Sequence, residues 1–255
     1  DALPIYSLPT TLEGAVAGIA DKVDTLVGCF GIGLIPSGSK DPYALRRATQ
    51  GIVSVILNSK LNISLKEIIN LSISIYEIKG ILKNSKEQVF KDVYEFFKQR
   101  IINILADKGY KKDIVNAVVN IDFDNLVEVE EKIITLSKIS SANEFTEIVN
   151  LIKRIENIVK DSENSDINYD LLVENTEKDL AKFAREFAEK SNEFLLEKDF
   201  EKYFHLILSG KNIINSFFDS VMVMDKNEEI KNNRIAILKS LDIQFKKVAD
   251  IKEIE

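Results

Sequence analysis

An all-α fold of packed helices is predicted by three features of this 255-residue sequence. No stretch alternates apolar and polar residues for long enough to make a strand. Apolar residues recur three and four positions apart instead, the spacing that builds one face of a helix. The interruptions carry residues that start or stop helices: Gly80, Asn84-Ser85, Gly109 and the polar, glycine-free run from Asp161 to Asn168. With 45% hydrophobic and 29% charged residues, a soluble globular chain of one large or two smaller domains is expected.

The elements follow in order. Leu12 to Ile32 reads as one helix with an apolar face, and Pro42 to Asn58 as a second, nearly all apolar after Arg47. Ser64 and Glu67 have the spacing of a capping box, so a third helix starts there and runs to about Tyr76. From Lys86, Val89, Phe90, Val93, Phe96, Phe97, Ile101 and Ile104 make one stripe of a long amphipathic helix that Gly109 ends. Asp113 to Val119 and Leu126 to Ser137 give two shorter helices, and Ser141 to Lys160 another. Beyond the polar linker, helices are predicted over Tyr169 to Lys198, Phe200 to Ser209, the segment holding Ile213 to Phe218, and Asn227 to Val248. Internal repeats are not evident.

The segment Gly28 to Arg47 is too specific for generic helical patterning. It holds four of the ten glycines and two of the four prolines, which predicts a defined turn between two helices. At least one of Gly31, Gly33 and Gly38 is expected at positive φ. Asp41 before Pro42 is a helix-start signature, the carboxylate capping free N–H groups while proline occupies the first turn. The helix so opened carries Arg46 and Arg47, and Asp21 and Asp24 stand three apart on the helix before it.

The run Ala20-Asp21-Lys22-Val23-Asp24-Thr25-Leu26-Val27-Gly28-Cys29-Phe30, followed by Gly33-Leu34-Ile35-Pro36-Ser37-Gly38-Ser39-Lys40-Asp41-Pro42-Tyr43-Ala44-Leu45-Arg46-Arg47, closely resembles the beta subunit of bacterial tetrameric glycyl-tRNA synthetase. It departs from that pattern in having Ser37 for threonine, Tyr43 for phenylalanine and Ser54 where an arginine is common. The resemblance continues through Phe97-Lys98-Gln99-Arg100 and Asp113 to Val118. Asn215 to Met224 and Arg234-Ile235-Ala236-Ile237-Leu238 are similar to the helical anticodon-binding domain named for its Asp-Ala-Leu-Arg signature. Together these resemblances imply three regions: the end of an HD-like helical domain at 1–82, a helical middle region at 83–140, and an anticodon-binding domain at 141–255. They also imply a C-terminal fragment of a longer polypeptide, in keeping with the opening Asp1-Ala2-Leu3-Pro4, which lacks an initiator methionine.

The resemblance implies a non-catalytic part of glycine-tRNA ligase that binds and orients tRNA(Gly), anticodon included. The alpha subunit of an alpha2beta2 tetramer would perform ATP- and magnesium-dependent aminoacylation, leaving this segment with no cofactor or metal of its own. The alternative is a helical scaffold that docks protein partners. Lys40, Arg46 and Arg47 are candidate contacts to tRNA phosphates, and Lys153, Arg154, Lys211, Lys231 and Arg234 are candidates for the tRNA-facing side of the last domain. Arg46 or Arg47 is alternatively a partner of Asp21 or Asp24, and Arg234 of Asp219 or Asp225. Tyr169, Tyr203 and Phe204 are candidate stacking platforms for unpaired bases.

Other chemistries fit poorly. The net charge of −7 opposes indiscriminate nucleic-acid binding, DNA included, though not a selective site. The glycine turn lacks the spacing of a phosphate loop, and no strand precedes it. A metal reading of Asp21 and Asp24 needs further ligands, yet the single histidine, His205, lies far along the chain and reads as a packing or surface residue. Cys29, the one cysteine, is expected to pack in a reducing cytoplasm, and no apolar run is long enough to cross a bilayer.

Overall fold

Several helices begin where a side chain takes up free backbone N–H groups. Thr11 accepts from Gly14 N at 3.1 Å to open α1 (Leu12–Gly31), Ser64 from Glu67 N at 3.1 Å to open α3 (Leu65–Ile78), and Ser85 from Gln88 N at 3.2 Å to open α4 (Lys86–Asp107). The computed structural model describes residues 8–254, so the opening tetrapeptide lies outside the described residues. Among the described residues, eleven α-helices and two 3-10 turns are joined by loops, with no strand beyond isolated bridges.

The second helix, α2 (Leu45–Asn58), starts three residues later than the proline suggested. Pro42 and Tyr43 sit in a turn, and the residue before the helix, Ala44, has φ +52°. Asp41 nevertheless caps it, its two carboxylate oxygens accepting from Leu45 N at 2.8 Å and Arg46 N at 2.9 Å. Proline simply falls in the approach to the helix instead of its first turn.

The chain divides into two compact units, one holding residues up to Val115 together with Asp122–Glu130, the other Asn116–Ile121 together with Glu131 onward. This differs from the three regions read from sequence, because the first helix of the supposed middle region, α4, packs on α1, α2 and α3. Their apolar stripes meet in one core that includes Leu26, Phe30, Ile52, Ile56, Ile69, Val93 and Phe97, all essentially inaccessible to solvent. The segment after α5 (Lys112–Val119) is pinned to the same unit by polar bonds. Asp124 accepts from Ser64 Oγ at 2.8 Å and from Lys66 N at 2.7 Å, while Lys66 Nζ reaches Asp122 at 2.8 Å.

In the second unit, α7 (Asn143–Val159), α8 (Asn175–Leu196), α9 (Phe200–Ser209), α10 (Lys211–Ser220) and α11 (Glu228–Phe245) close around aromatic residues. Phe187 of α8 meets Phe245 of α11 edge-on at 5.4 Å and Tyr203 of α9 at 6.2 Å. The helix predicted from Tyr169 is broken: a 3-10 turn, Tyr169–Leu171, precedes α8. Another, Ile251–Glu253, packs on α7 at the end of the chain. The remaining helix, α6 (Leu126–Ile139), is longer than expected by two residues.

Candidate nucleic-acid interface

In the first unit the glycine turn is built from short backbone bonds. Gly33 and Gly38 have φ of +84° and +52°, a region where a side chain is strained, whereas Gly31 is a buried helical residue. At Gly31 a Cβ would lie 2.5 Å from Leu82 Cδ2, so a larger residue there would require that side-chain end to shift. Ser37 and Lys40 exchange backbone bonds of 3.2 and 2.9 Å, and Gly33 and Leu34 donate back to Phe30 and Cys29 at 3.0 and 2.8 Å. The backbone donors of this turn at Gly33, Leu34, Ser37 and Lys40 are thus engaged within it.

Arg46 and Arg47 diverge, as consecutive helical residues must. Arg46 is half-buried and donates from Nη2 to Gly38 O at 2.7 Å, fastening α2 to the turn, while Arg47 and Lys40 are exposed. Neither arginine forms an ion pair with Asp21 or Asp24 among the described residues; Asp24 accepts from Tyr76 Oη at 3.1 Å instead. Arg100 of α4 also belongs here. Its guanidinium lies 4.5 Å from the centre of the Phe96 ring, and its pKa is lowered by burial and then by the charge of Arg46, with Asp41 acting in the opposite sense. The sequence includes Arg100 in the resembling run Phe97-Lys98-Gln99-Arg100 without marking it as a contact residue, because the effect of Arg46 on it comes from the packing of α4 on α2. Cys29 is half-buried, and burial, followed by the charge of Asp41, raises its thiol pKa.

The five predicted cations of the second unit differ in burial and in partners. Arg234 is buried: Nε pairs with Glu177, and Nη1 donates to Asp225 at 2.7 Å and to Met222 O at 2.9 Å. Of the two partners anticipated for it, Asp225 is present, and Glu177 is an addition that only tertiary contact supplies. Lys211 pairs with Glu147 at 3.1 Å and Lys231 with Glu228 at 2.6 Å. Lys153, half-buried, points to Ile254 O at 3.4 Å. Arg154 differs from all four. It is exposed, its guanidinium carbon sits 3.8 Å from the centre of the Phe218 ring, and it forms no ion pair with a carboxylate among the described residues.

The aromatic candidates separate in the same way. Tyr203 and Phe204 are core residues, at 0% and 1% exposure, with Tyr203 Oη bonded to Gln244 O; only Tyr169, at 50%, is open to solvent. An amphipathic helix carries aromatics on its inner face, and the sequence around Phe204 did not reveal which face that is. His205 lies on the outer face with its ring exposed, 3.9 Å from Glu201. Among the described residues no three His, Cys, Asp or Glu side chains converge on a metal position, and no helix is long and apolar enough to cross a membrane.

This helical unit is of an anticodon-binding type: the family model described as "DALR anticodon binding domain" matches residues 148–255. A second, described as "Glycyl-tRNA synthetase beta subunit", matches residues 4–120. Among similar proteins, the glycine–tRNA ligase beta subunit of Geotalea daltonii is 38% identical over 247 residues, which is 97% of this chain and 36% of that protein. Those of Syntrophus aciditrophicus and Clostridioides difficile are 36% and 32% identical over the same shares. The chain belongs to the glycyl-tRNA synthetase beta subunit family. It spans about a third of the length of these relatives.

Proposed function

We propose that this chain binds and orients tRNA(Gly), its second unit contacting the anticodon, while an alpha subunit in an alpha2beta2 assembly aminoacylates the RNA in the cytoplasm. ATP and magnesium act, in this reading, on the alpha subunit. The contribution of the present chain is positional: an RNA held in register presents its acceptor end to a separate catalytic centre.

The observation that carries the reading is Arg154 on Phe218, within the residues matched by the anticodon-binding model. A guanidinium held over an aromatic ring is restrained, so less side-chain freedom remains to be lost on binding. Its other face is suited to stacking an unpaired base, and its edge donates to a base or a phosphate oxygen. Lys211 and Lys231 are paired with carboxylates and Lys153 is turned to the chain terminus. Recognition in this unit therefore rests on a few oriented contacts more than on a broad basic surface.

The test is titration of tRNA(Gly) and an anticodon-substituted tRNA with the wild-type chain, Arg154→Ala and Arg154→Lys. Arg154→Ala is expected to weaken tRNA(Gly) binding by about ten-fold, as loss of one stacking or base contact costs roughly 1–3 kcal/mol, and to narrow the difference between the RNAs. Lysine retains the charge without the plane and should restore affinity only in part. Equal affinity for both RNAs, unmoved by either folded variant, would reject the assignment.

A further inference from the structure

The arginines of the first unit form a second arrangement, independent of the anticodon reading. Arg46 is fastened through Nη2 to Gly38 O at 2.7 Å, and the Arg100 guanidinium is held 4.5 Å from the centre of the Phe96 ring. They stand on two helices that pack together, α2 and α4, and the charge of Arg46 acts on Arg100. Asp41 acts on Arg100 in the opposite sense, and its two oxygens already accept from Leu45 N and Arg46 N. Arg47 and Lys40 add exposed positive charge from the adjoining helix turn and loop. Neither Arg46 nor Arg100 forms an ion pair among the described residues. The positive charge of Arg46 thus acts on Arg100 against its own charge, while the oxygens of Asp41 are engaged by backbone N–H groups.

We propose that Arg46 and Arg100, with Lys40 and Arg47 at the rim, bind a phosphoryl group carried by an RNA backbone or by a free polyphosphate. A phosphate oxygen pair matches the fork of a guanidinium, and a second guanidinium nearby lets one phosphoryl group bridge both. The bound anion removes the repulsion between the arginines. Because each side chain is already tethered on one side, binding immobilises little that is free.

The test titrates two probes, inorganic tripolyphosphate at constant ionic strength and tRNA(Gly) at several salt concentrations, into the full 255-residue chain. Arg100→Gln is the deciding variant because it leaves the Arg46–Gly38 tether in place; Arg46→Gln is the second, Arg185→Gln the exposed control, and circular dichroism checks folding. Arg100→Gln is expected to weaken at least one probe by roughly five-fold or more. For tRNA it should also reduce the slope of log K against log salt by about one, the effect of one lost phosphate contact. Weakening confined to tRNA identifies a backbone phosphate, and weakening of tripolyphosphate a site open to free polyphosphate. The inference falls if neither probe binds, or if both bind folded Arg100→Gln and Arg46→Gln as they bind the control. Should Arg154→Ala still weaken tRNA in that second case, the anticodon reading survives and the phosphoryl site alone is lost.

Discussion

Arg234 shows how a single buried charge can organise a surface it does not reach. Its guanidinium joins Glu177 at the start of α8 to Asp225 and Met222 in the loop before α11. Glu177 in turn accepts from Val173 N at 2.6 Å and Glu174 N at 2.9 Å, so the approach to α8 is held by the same network. Removing the arginine leaves a carboxylate of 1% exposure without its ionic partner. Arg234→Ala is therefore expected to cost about 3–5 kcal/mol in a urea-unfolding measurement. Arg234→Met combined with Glu177→Gln should recover part of that loss, since the uncompensated charge is removed while an accepting oxygen for Val173 N and Glu174 N remains. A small effect of the single change would remove the structural role assigned here. An RNA-binding defect of Arg234→Ala, by the same reasoning, reports folding before it reports contact.

Helix ends and helix-to-helix links supply two further expectations. Asp41 takes two N–H groups at the start of α2, so Asp41→Ala should destabilise the chain by about 1 kcal/mol. Asp41→Asn, which retains one accepting oxygen, should cost less in the same thermal or urea melt; identical losses would indicate that charge matters and capping does not. At the other end of the chain, Glu156 of α7 bonds Lys246 beyond α11 at 2.9 Å and Lys252 in the closing turn at 2.6 Å. Burial disfavours the Glu156 carboxylate, yet these two ammonium groups outweigh it and hold the pKa below the ordinary 4.5. A depressed carboxylate contributes stability that is present above the unfolded pKa and lost as pH falls through the folded one. Glu156→Gln should thus lower stability by about 1 kcal/mol at pH 7, the lysines being partly solvated, and converge on the wild type at acid pH, as the pH falls through the lowered folded-state value. Unfolding curves that differ equally at both pH values would show that the loss is not ionic.

For the whole molecule, the composition and the geometry of the turn bear on catalysis. A phosphate loop offers a nest of free backbone N–H groups to its ligand, whereas those of Gly33, Leu34, Ser37 and Lys40 are bonded within the turn. The chain by itself, supplied with ATP, glycine and magnesium, is expected to form no adenylate. Glycine-dependent pyrophosphate exchange by the purified chain is the measurement, and sustained exchange would overturn the division of labour proposed between the subunits.

The sequence by itself determined the helical class, most helix positions and the turn. These depend on near neighbours: apolar spacing of three and four, Ser64 three residues before Glu67, Asp41 ahead of Leu45 and Arg46, and glycines where φ turns positive. It also carried the family, in the run Gly28 to Arg47 and the closing segment through Leu238. Tertiary structure alone decided which charges are free. Lys211 and Glu147 lie far apart in sequence, as do Arg234 and Glu177 or Arg100 and Arg46, and whether such residues pair, repel or are buried follows from which helices pack together. The same holds for Phe204 inside and His205 outside, adjacent residues separated by the 100° step of one helix. Local spacing encodes the helix, but the environment of a side chain is a property of the neighbours that folding brings to it.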